Sequence, residues 1–147
     1  MKIRLFIAAF LTLLLASCNN ADISKKENKT NPNKTNYLEV FCFHGTRQCV
    51  TCKNMKAYTL KALQLNFATQ LKDSSIIFQI IDVDEEKNAA IAQKFEATGT
   101  ALMFNKVVNG KDSIFDLSDF AFEKANDESK YIPQFTEIVS SLTANLK

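Results

Sequence analysis

Apolar runs and helical stripes alternate along this chain. Residues 37–44 and 76–83 are apolar at both odd and even positions, which is the pattern of strands buried on both faces of a sheet. The stretch 49–71 between them carries apolar residues three and four positions apart, which predicts one helix: Leu60, Leu63, Phe67 and Leu71. A strand–helix–strand unit of this length predicts two parallel strands joined by a right-handed crossover.

The pattern after residue 83 predicts a second helix and then a hairpin. Strands are predicted over Ala101–Val108 and 111–117, because the intervening Asn109 and Gly110 both tolerate positive φ and favour a two-residue turn. The helix before them has Asp84 as its candidate N-cap and an apolar inward face: Ile91, Ala92 and Phe95.

The end of the chain predicts one further helix. Residues 118–130 have no clear period, although Phe120 and Phe122 are expected to pack against the core. The helix is predicted with Pro133 in its first turn, from an amphipathic series: Ile132, Phe135, Ile138, Val139, Leu142 and Leu146. Strands and helices in this order predict the α/β class.

The N-terminal residues have the organisation of an export signal. Residues 1–17 contain two basic residues, an 11-residue apolar run and small residues before Cys18. The run LASC resembles a bacterial lipobox, which implies cleavage before Cys18 and lipidation of its thiol; ordinary cleavage leaving a free thiol is the alternative. Residues 18–36 then form a flexible polar tether, and the domain covers 37–147. The protein is therefore expected in the bacterial cell envelope, anchored by lipid and facing the periplasm or the exterior.

The charge balance gives no support for nucleic-acid binding. The chain has 18 basic and 16 acidic residues, and two of the basic ones lie in the predicted signal. The remaining charges balance, so no basic patch is expected.

A C-x-x-C pair, Cys49 and Cys52, stands where the first predicted strand passes into the first helix. Unpaired backbone N–H groups and the helix dipole stabilise a thiolate there, so the pKa of Cys49 falls and the residue becomes a nucleophile near neutral pH. Cys52 is placed to resolve a mixed disulfide. A static structural disulfide is one alternative. A closed zinc site is another, but zinc needs four Cys or His ligands and only Cys42 and His44 remain in the domain, so no metal is expected.

The residues around the dithiol have two interpretations each. His44, the only histidine, could shuttle the thiol proton or be an ordinary loop side chain. Arg47 and Lys53 could stabilise the thiolate or be solvated, and Arg47 is favoured because it lies in the loop that presents Cys49. Cys42 could be a third redox thiol, but its apolar strand favours a core role.

The order of elements, with C-x-x-C between the first strand and the first helix, resembles the thioredoxin fold, which implies a central mixed sheet flanked by helices. The runs FHGTRQCVTC and TGTAL resemble the exported thioredoxin-like proteins of the ArsF-type family. These proteins are catalogued as a nitrophenyl compound nitroreductase subunit and associated with arsenic-resistance loci. The chain departs from thioredoxin in having Val50-Thr51 between the cysteines instead of Gly-Pro. It also has Thr100 or Ala101 in the loop where the fold usually carries a cis-proline that contacts partners.

These features predict a lipid-anchored extracytoplasmic thiol–disulfide oxidoreductase with no cofactor beyond the Cys49–Cys52 disulfide. Its expected partners are protein or small-molecule thiols and disulfides and a membrane electron donor or acceptor. The redox direction depends on how strongly the thiolate is stabilised, so the sequence leaves it open. One alternative is a dithiol module that binds arsenite or a soft metal ion, since thiolates prefer soft ions. Another is an electron-relay subunit of a membrane-associated reductase complex.

Overall fold

The computed structural model describes residues 34–146, which form a four-stranded sheet with helices on both faces. The predicted signal, Cys18 and most of the predicted tether lie outside the described residues. None of the helices within 34–146 is long and apolar enough to cross a membrane. The strands are β1 (Asn36–His44), β2 (Ile76–Asp82), β3 (Ala101–Val108) and β4 (Lys111–Asp116). The helices are α1 (Val50–Asn66), α2 (Ala68–Lys72), α3 (Ala89–Lys94), α4 (Ser118–Lys124) and α5 (Glu128–Thr143), with a 3-10 turn at Glu86–Asn88.

The sheet order is β2-β1-β3-β4. Strand β1 pairs in parallel with β2 and antiparallel with β3, and β4 pairs antiparallel with β3. The parallel pairing predicted for the βαβ unit and the predicted hairpin are both confirmed. At the hairpin turn Asn109 and Gly110 have φ of 52° and 74°, the left-handed region that this residue pair tolerates.

The two faces of β1 separate the core into two layers. Leu38, Val40 and Cys42 face one layer, which is completed mainly by α1 and α5. Phe41 and Phe43 face the other, where they contact an aromatic ring and aliphatic side chains: Phe95, Met103 and Ile81. Successive side chains of a strand point to opposite faces of the sheet, so a strand that is apolar at every position is buried on both faces.

The predicted helix over 49–71 is two helices rather than one. Phe67, with φ −133°, separates α1 from α2, and its ring is buried while its N–H still bonds to the carbonyl of Leu63. The stripe that α1 buries begins about two turns earlier than predicted: Cys52, Met55, Thr59, Ala62 and Leu63. The spacing of large apolar residues identified the helix but not the smaller and polar residues of its buried face.

Three further predictions about the second half are wrong. Asp84 is not a helix N-cap, because a 3-10 turn precedes α3 and the cap position of α3 is Asn88. Pro133 is the sixth residue of α5 and so lies in its second turn, since the helix already begins at Glu128. Phe122 is 40% exposed, whereas Phe120 packs on the core as expected, with its ring 5.3 Å from that of Tyr131.

One buried polar contact joins α1 to α5. The hydroxyls of Thr59 and Tyr131 lie 2.7 Å apart, and both residues are fully buried. Burial raises the pKa of Tyr131, so the phenol stays neutral and the contact is an ordinary hydrogen bond. A buried hydroxyl without a partner is costly, so this pair fixes the register of the two helices.

Replacing Tyr131→Phe should lower the free energy of unfolding by about 1–3 kcal/mol, because the hydroxyl of Thr59 loses a buried partner. The matched control is Tyr58→Phe, on the adjacent ring 5.7 Å away, which should change stability by less than about 0.5 kcal/mol. Urea unfolding measures both values. Equal losses in the two variants would contradict the role given to the hydrogen bond.

Candidate redox site

The dithiol lies at the end of β1, where a five-residue loop (45–49) leads into α1. Cys49 is the N-cap residue of α1 and has an extended backbone, with φ −72° and ψ 169°. Its Sγ lies 3.1 Å from the backbone N–H of Cys52, in the position of a side-chain cap acceptor. The two cysteines form a disulfide, with their Cα atoms 5.1 Å apart.

The two cysteines of the pair differ in accessibility. Cys49 is exposed, whereas Cys52 is 9% exposed and belongs to the buried face of α1. An incoming thiol or disulfide can therefore reach Cys49, and Cys52 is held behind it. The first turn of α1 contains no acidic side chain. On reduction, the helix N-terminus thus favours a thiolate at Cys49 without local repulsion.

The loop that presents Cys49 is fixed by Asp84, at the end of β2. The Thr46 backbone N–H donates to Asp84 Oδ2 at 2.7 Å. A Cβ on Gly45 would lie 3.2 Å from the same oxygen, so any other residue there would shift the carboxylate by a few tenths of an ångström. The hydrogen bonds from Thr46 hold the pKa of Asp84 below its ordinary value. The residue predicted as a helix cap therefore acts as a clamp on the dithiol loop.

His44 faces the carboxyl end of β2. Its Nδ1 lies 3.0 Å from the Gly45 carbonyl oxygen and 3.8 Å from Asp82 Oδ2, and its own carbonyl accepts from the N–H of Val83 at 2.8 Å. These contacts belong to the loop and to β2, and none of them involves either cysteine of the pair. A proton-shuttle role for His44 remains a prediction that this geometry does not favour.

The cations that the sequence suggested are solvent-facing. Arg47 and Lys53 are both exposed, and neither forms an ion pair with another residue of 34–146. Their part in stabilising a thiolate stays a prediction.

The first turn of α1 is tied to the segment between α4 and α5. Thr51, inside the C-x-x-C pair, donates from Oγ1 to Asn126 Oδ1 at 3.2 Å. Asn54 donates from Nδ2 to the Ala125 carbonyl at 3.0 Å. Sequence reasoning missed these contacts because they join residues more than 70 positions apart. Two polar residues in the first turn of a helix were the only available signal.

Thr100 and Ala101 lie at the same edge of the sheet as the dithiol loop. Ala101 pairs with Phe43, next to the last residue of β1. No peptide bond within the described range is cis. The segment that contains Thr100 and Ala101 lines a groove of about 650 Å³, together with Phe95, Met103, Ile114 and Asp116. A part in partner recognition at this loop remains a prediction.

Cys42 is a core residue, as predicted. It is 2% exposed and carries a free thiol. Burial raises its pKa to about 12, with a smaller opposing effect from a hydrogen bond to Thr59, so it stays protonated. Within 34–146 no group of three or more Cys, His, Asp or Glu side chains is arranged to hold a metal ion.

Topology and dithiol position together decide the fold. The sheet has the order β2-β1-β3-β4 and combines a parallel β1–α1–β2 unit with an antiparallel β3–β4 hairpin. The C-x-x-C pair lies between β1 and α1. The chain has a thioredoxin-like fold. With its closed Cys49–Cys52 pair, this fold fits a thiol–disulfide oxidoreductase.

Comparisons with known proteins add little to this fold assignment. No family model matches the chain, and no curated protein matches it. A solved structure described as a malarial protein is 20% identical, with 68% of this chain and 98% of that chain covered and a TM-score of 0.40. The X-ray structure of Fasciola hepatica thioredoxin is 27% identical, with 73% and 85% covered and a TM-score of 0.40.

Replacing Asp84→Ala should speed hydrogen exchange at the Thr46 amide, because that N–H loses its acceptor. The control is Glu86→Ala, an exposed carboxylate nearby, which should leave the Thr46 rate unchanged. The folded pKa of Asp84 is depressed, so its contribution is present above 3.8 and is lost as pH falls through the lower folded value. The difference between wild type and Asp84→Ala should therefore persist down to about pH 4. Equal Thr46 exchange in the two variants would rule out the clamp.

Proposed function

We propose that this protein is a lipid-anchored, extracytoplasmic thiol–disulfide oxidoreductase of the ArsF-type group. The observation that carries the proposal is the arrangement of the Cys49–Cys52 pair. The exposed Cys49 caps the N-terminus of α1, and the buried Cys52 lies one turn behind it in a closed disulfide. A purely structural disulfide gains nothing from an exposed sulfur at a helix N-terminus, whereas an attacking thiolate gains a lower pKa.

In the reductive direction the Cys49 thiolate attacks one sulfur of a substrate disulfide. A bond forms between that sulfur and Cys49, the substrate S–S bond breaks, and one substrate thiolate leaves and takes up a proton. Cys52 then loses its proton and attacks Cys49 Sγ, so the mixed disulfide breaks, the second substrate sulfur leaves as a thiolate and takes up a proton, and the Cys49–Cys52 disulfide closes. Two electrons and two protons pass to the substrate. The oxidative direction is the reverse of these steps.

The proposed partners follow from this chemistry. The substrates are protein or small-molecule thiols and disulfides that reach Cys49 from solvent. Each turnover leaves the pair in the other oxidation state, so continued activity needs a second partner that resets it. For an anchored protein we propose that this partner is a membrane electron donor or acceptor.

The proposed anchor sets how far the domain reaches from the membrane. Cys18 and the start of β1 at Asn36 are 18 residues apart. A chain of that length spans at most about 65 Å when fully extended. The proposed anchor would thus keep the start of the domain within that distance of the bilayer.

Cys49→Ser should abolish catalysed reduction of insulin disulfides by dithiothreitol, because the attacking sulfur is lost. Cys52→Ser should instead accumulate a mixed disulfide on Cys49 that non-reducing mass spectrometry detects, since nothing resolves it. Cys42→Ala is the control and should keep most of the rate, because that thiol is buried and protonated. Undiminished turnover in Cys49→Ser would refute the proposed mechanism.

Cys18→Ser should release the protein from the membrane fraction of a bacterial host and prevent its labelling by a radioactive fatty acid, because the acylated thiol is gone. Wild-type protein that is found unlabelled in the soluble fraction would exclude the anchor and leave the redox proposal standing.

A further inference from the structure

Lys56 lies on the same face of α1 as Cys49. The two are seven residues apart, and at about 100° per residue they are about 20° from alignment along the helix axis. Side chains of a helix lean toward its N-terminus, so a long side chain at position 56 extends back toward the dithiol. Lys56 is half-buried, unlike the exposed Lys53.

A hydrogen bond holds the Lys56 ammonium in that direction. Lys56 Nζ donates to Gln48 Oε1 at 3.2 Å. Gln48 immediately precedes Cys49, so the contact joins the second turn of α1 to the loop that presents the nucleophile. The same charge acts on β1 beneath the helix, where it opposes the burial-driven rise in the pKa of Cys42. The ammonium is therefore held beside the loop that presents Cys49.

The charge of Lys56 is not neutralised by the residues around it. Its hydrogen-bond partner is a neutral amide, and no carboxylate within 34–146 forms an ion pair with it. Six of the ten other lysines within 34–146 form ion pairs, for example Lys61 with Glu128 and Lys94 with Asp112. An unpaired, half-buried cation next to a thiol stabilises the thiolate form.

We propose that Lys56, held by Gln48, is the cation that stabilises the Cys49 thiolate. This inference rests on the proposed function only in taking Cys49 as the attacking thiol. Lys56 is a positioning residue in this scheme, because its charge acts on the sulfur across space. Stabilising the thiolate stabilises the reduced pair, so Lys56 makes the dithiol a weaker reductant and a stronger oxidant.

The test measures the pH dependence of Cys49 alkylation by iodoacetamide in the reduced full-length protein, with peptide mass spectrometry to separate Cys49 from the other thiols. Lys56→Met should move the midpoint upward by about one pH unit, a tenfold loss of thiolate well below the midpoint. The variant's reduction potential should fall by about 30 mV for that tenfold change. Raising the salt concentration should reduce the difference between wild type and variant.

Three further variants distinguish this role from general effects. Lys56→Arg keeps the charge and should keep the midpoint near that of wild type. Gln48→Leu keeps the charge but removes its tether, so it should give a smaller upward shift. Lys53→Met removes one exposed positive charge near Cys52 and should shift the midpoint much less than Lys56→Met. Circular dichroism of each variant verifies that the helix is intact.

An unchanged midpoint in Lys56→Met, or an equal shift in Lys53→Met, would overturn the inference. The measurement needs no substrate, so the two proposals fail separately. If Lys56→Met shifts the midpoint but the wild-type protein does not reduce disulfides, only the proposed function is contradicted. If the wild-type protein turns over disulfides but the midpoint does not shift in Lys56→Met, only the role of Lys56 is contradicted.

Discussion

Strand β1 is the constraint on which the rest of this structure depends. It pairs with β2 on one side and β3 on the other, and its side chains are buried on both faces of the sheet. A strand fixed in this way cannot slip by one residue without exchanging its two apolar faces. The residue at which β1 ends is therefore fixed, and so is the position of Cys49, which caps α1.

Three polar contacts hold the residues around the dithiol. Asp84 at the end of β2 holds the loop, Asn126 holds Thr51 from the α4–α5 segment, and Gln48 meets the ammonium of Lys56. Each contact uses a polar side chain, and of these side chains Lys56 brings a half-buried charge to the site. An exposed, oriented sulfur on a rigid base suits an exchange reaction in which the attacking atom must approach its target in line.

The position of the dithiol was easier to predict from sequence than the contacts that support it. The C-x-x-C pair, the double-faced β1 run and the Asn109-Gly110 turn are local signals, and each was correct. The break at Phe67 and the clamp formed by Asp84 depend on contacts made only after the chain has folded. Nothing in the sequence singled out Lys56, because a lysine within a helix is usually solvated and only its contact with Gln48 shows where its charge lies.

The most direct test of the account is a redox titration of the Cys49–Cys52 pair in the full-length protein, equilibrated in glutathione or dithiothreitol buffers and quenched by alkylation. The account predicts one reversible two-electron transition confined to these two thiols, with Cys42 unmodified throughout. A midpoint of about −270 mV would indicate a reductase, and one of about −120 mV would indicate an oxidase. A pair that shows no reversible transition would contradict the redox account, and binding of arsenite or Cu(I) would become the leading explanation of the dithiol.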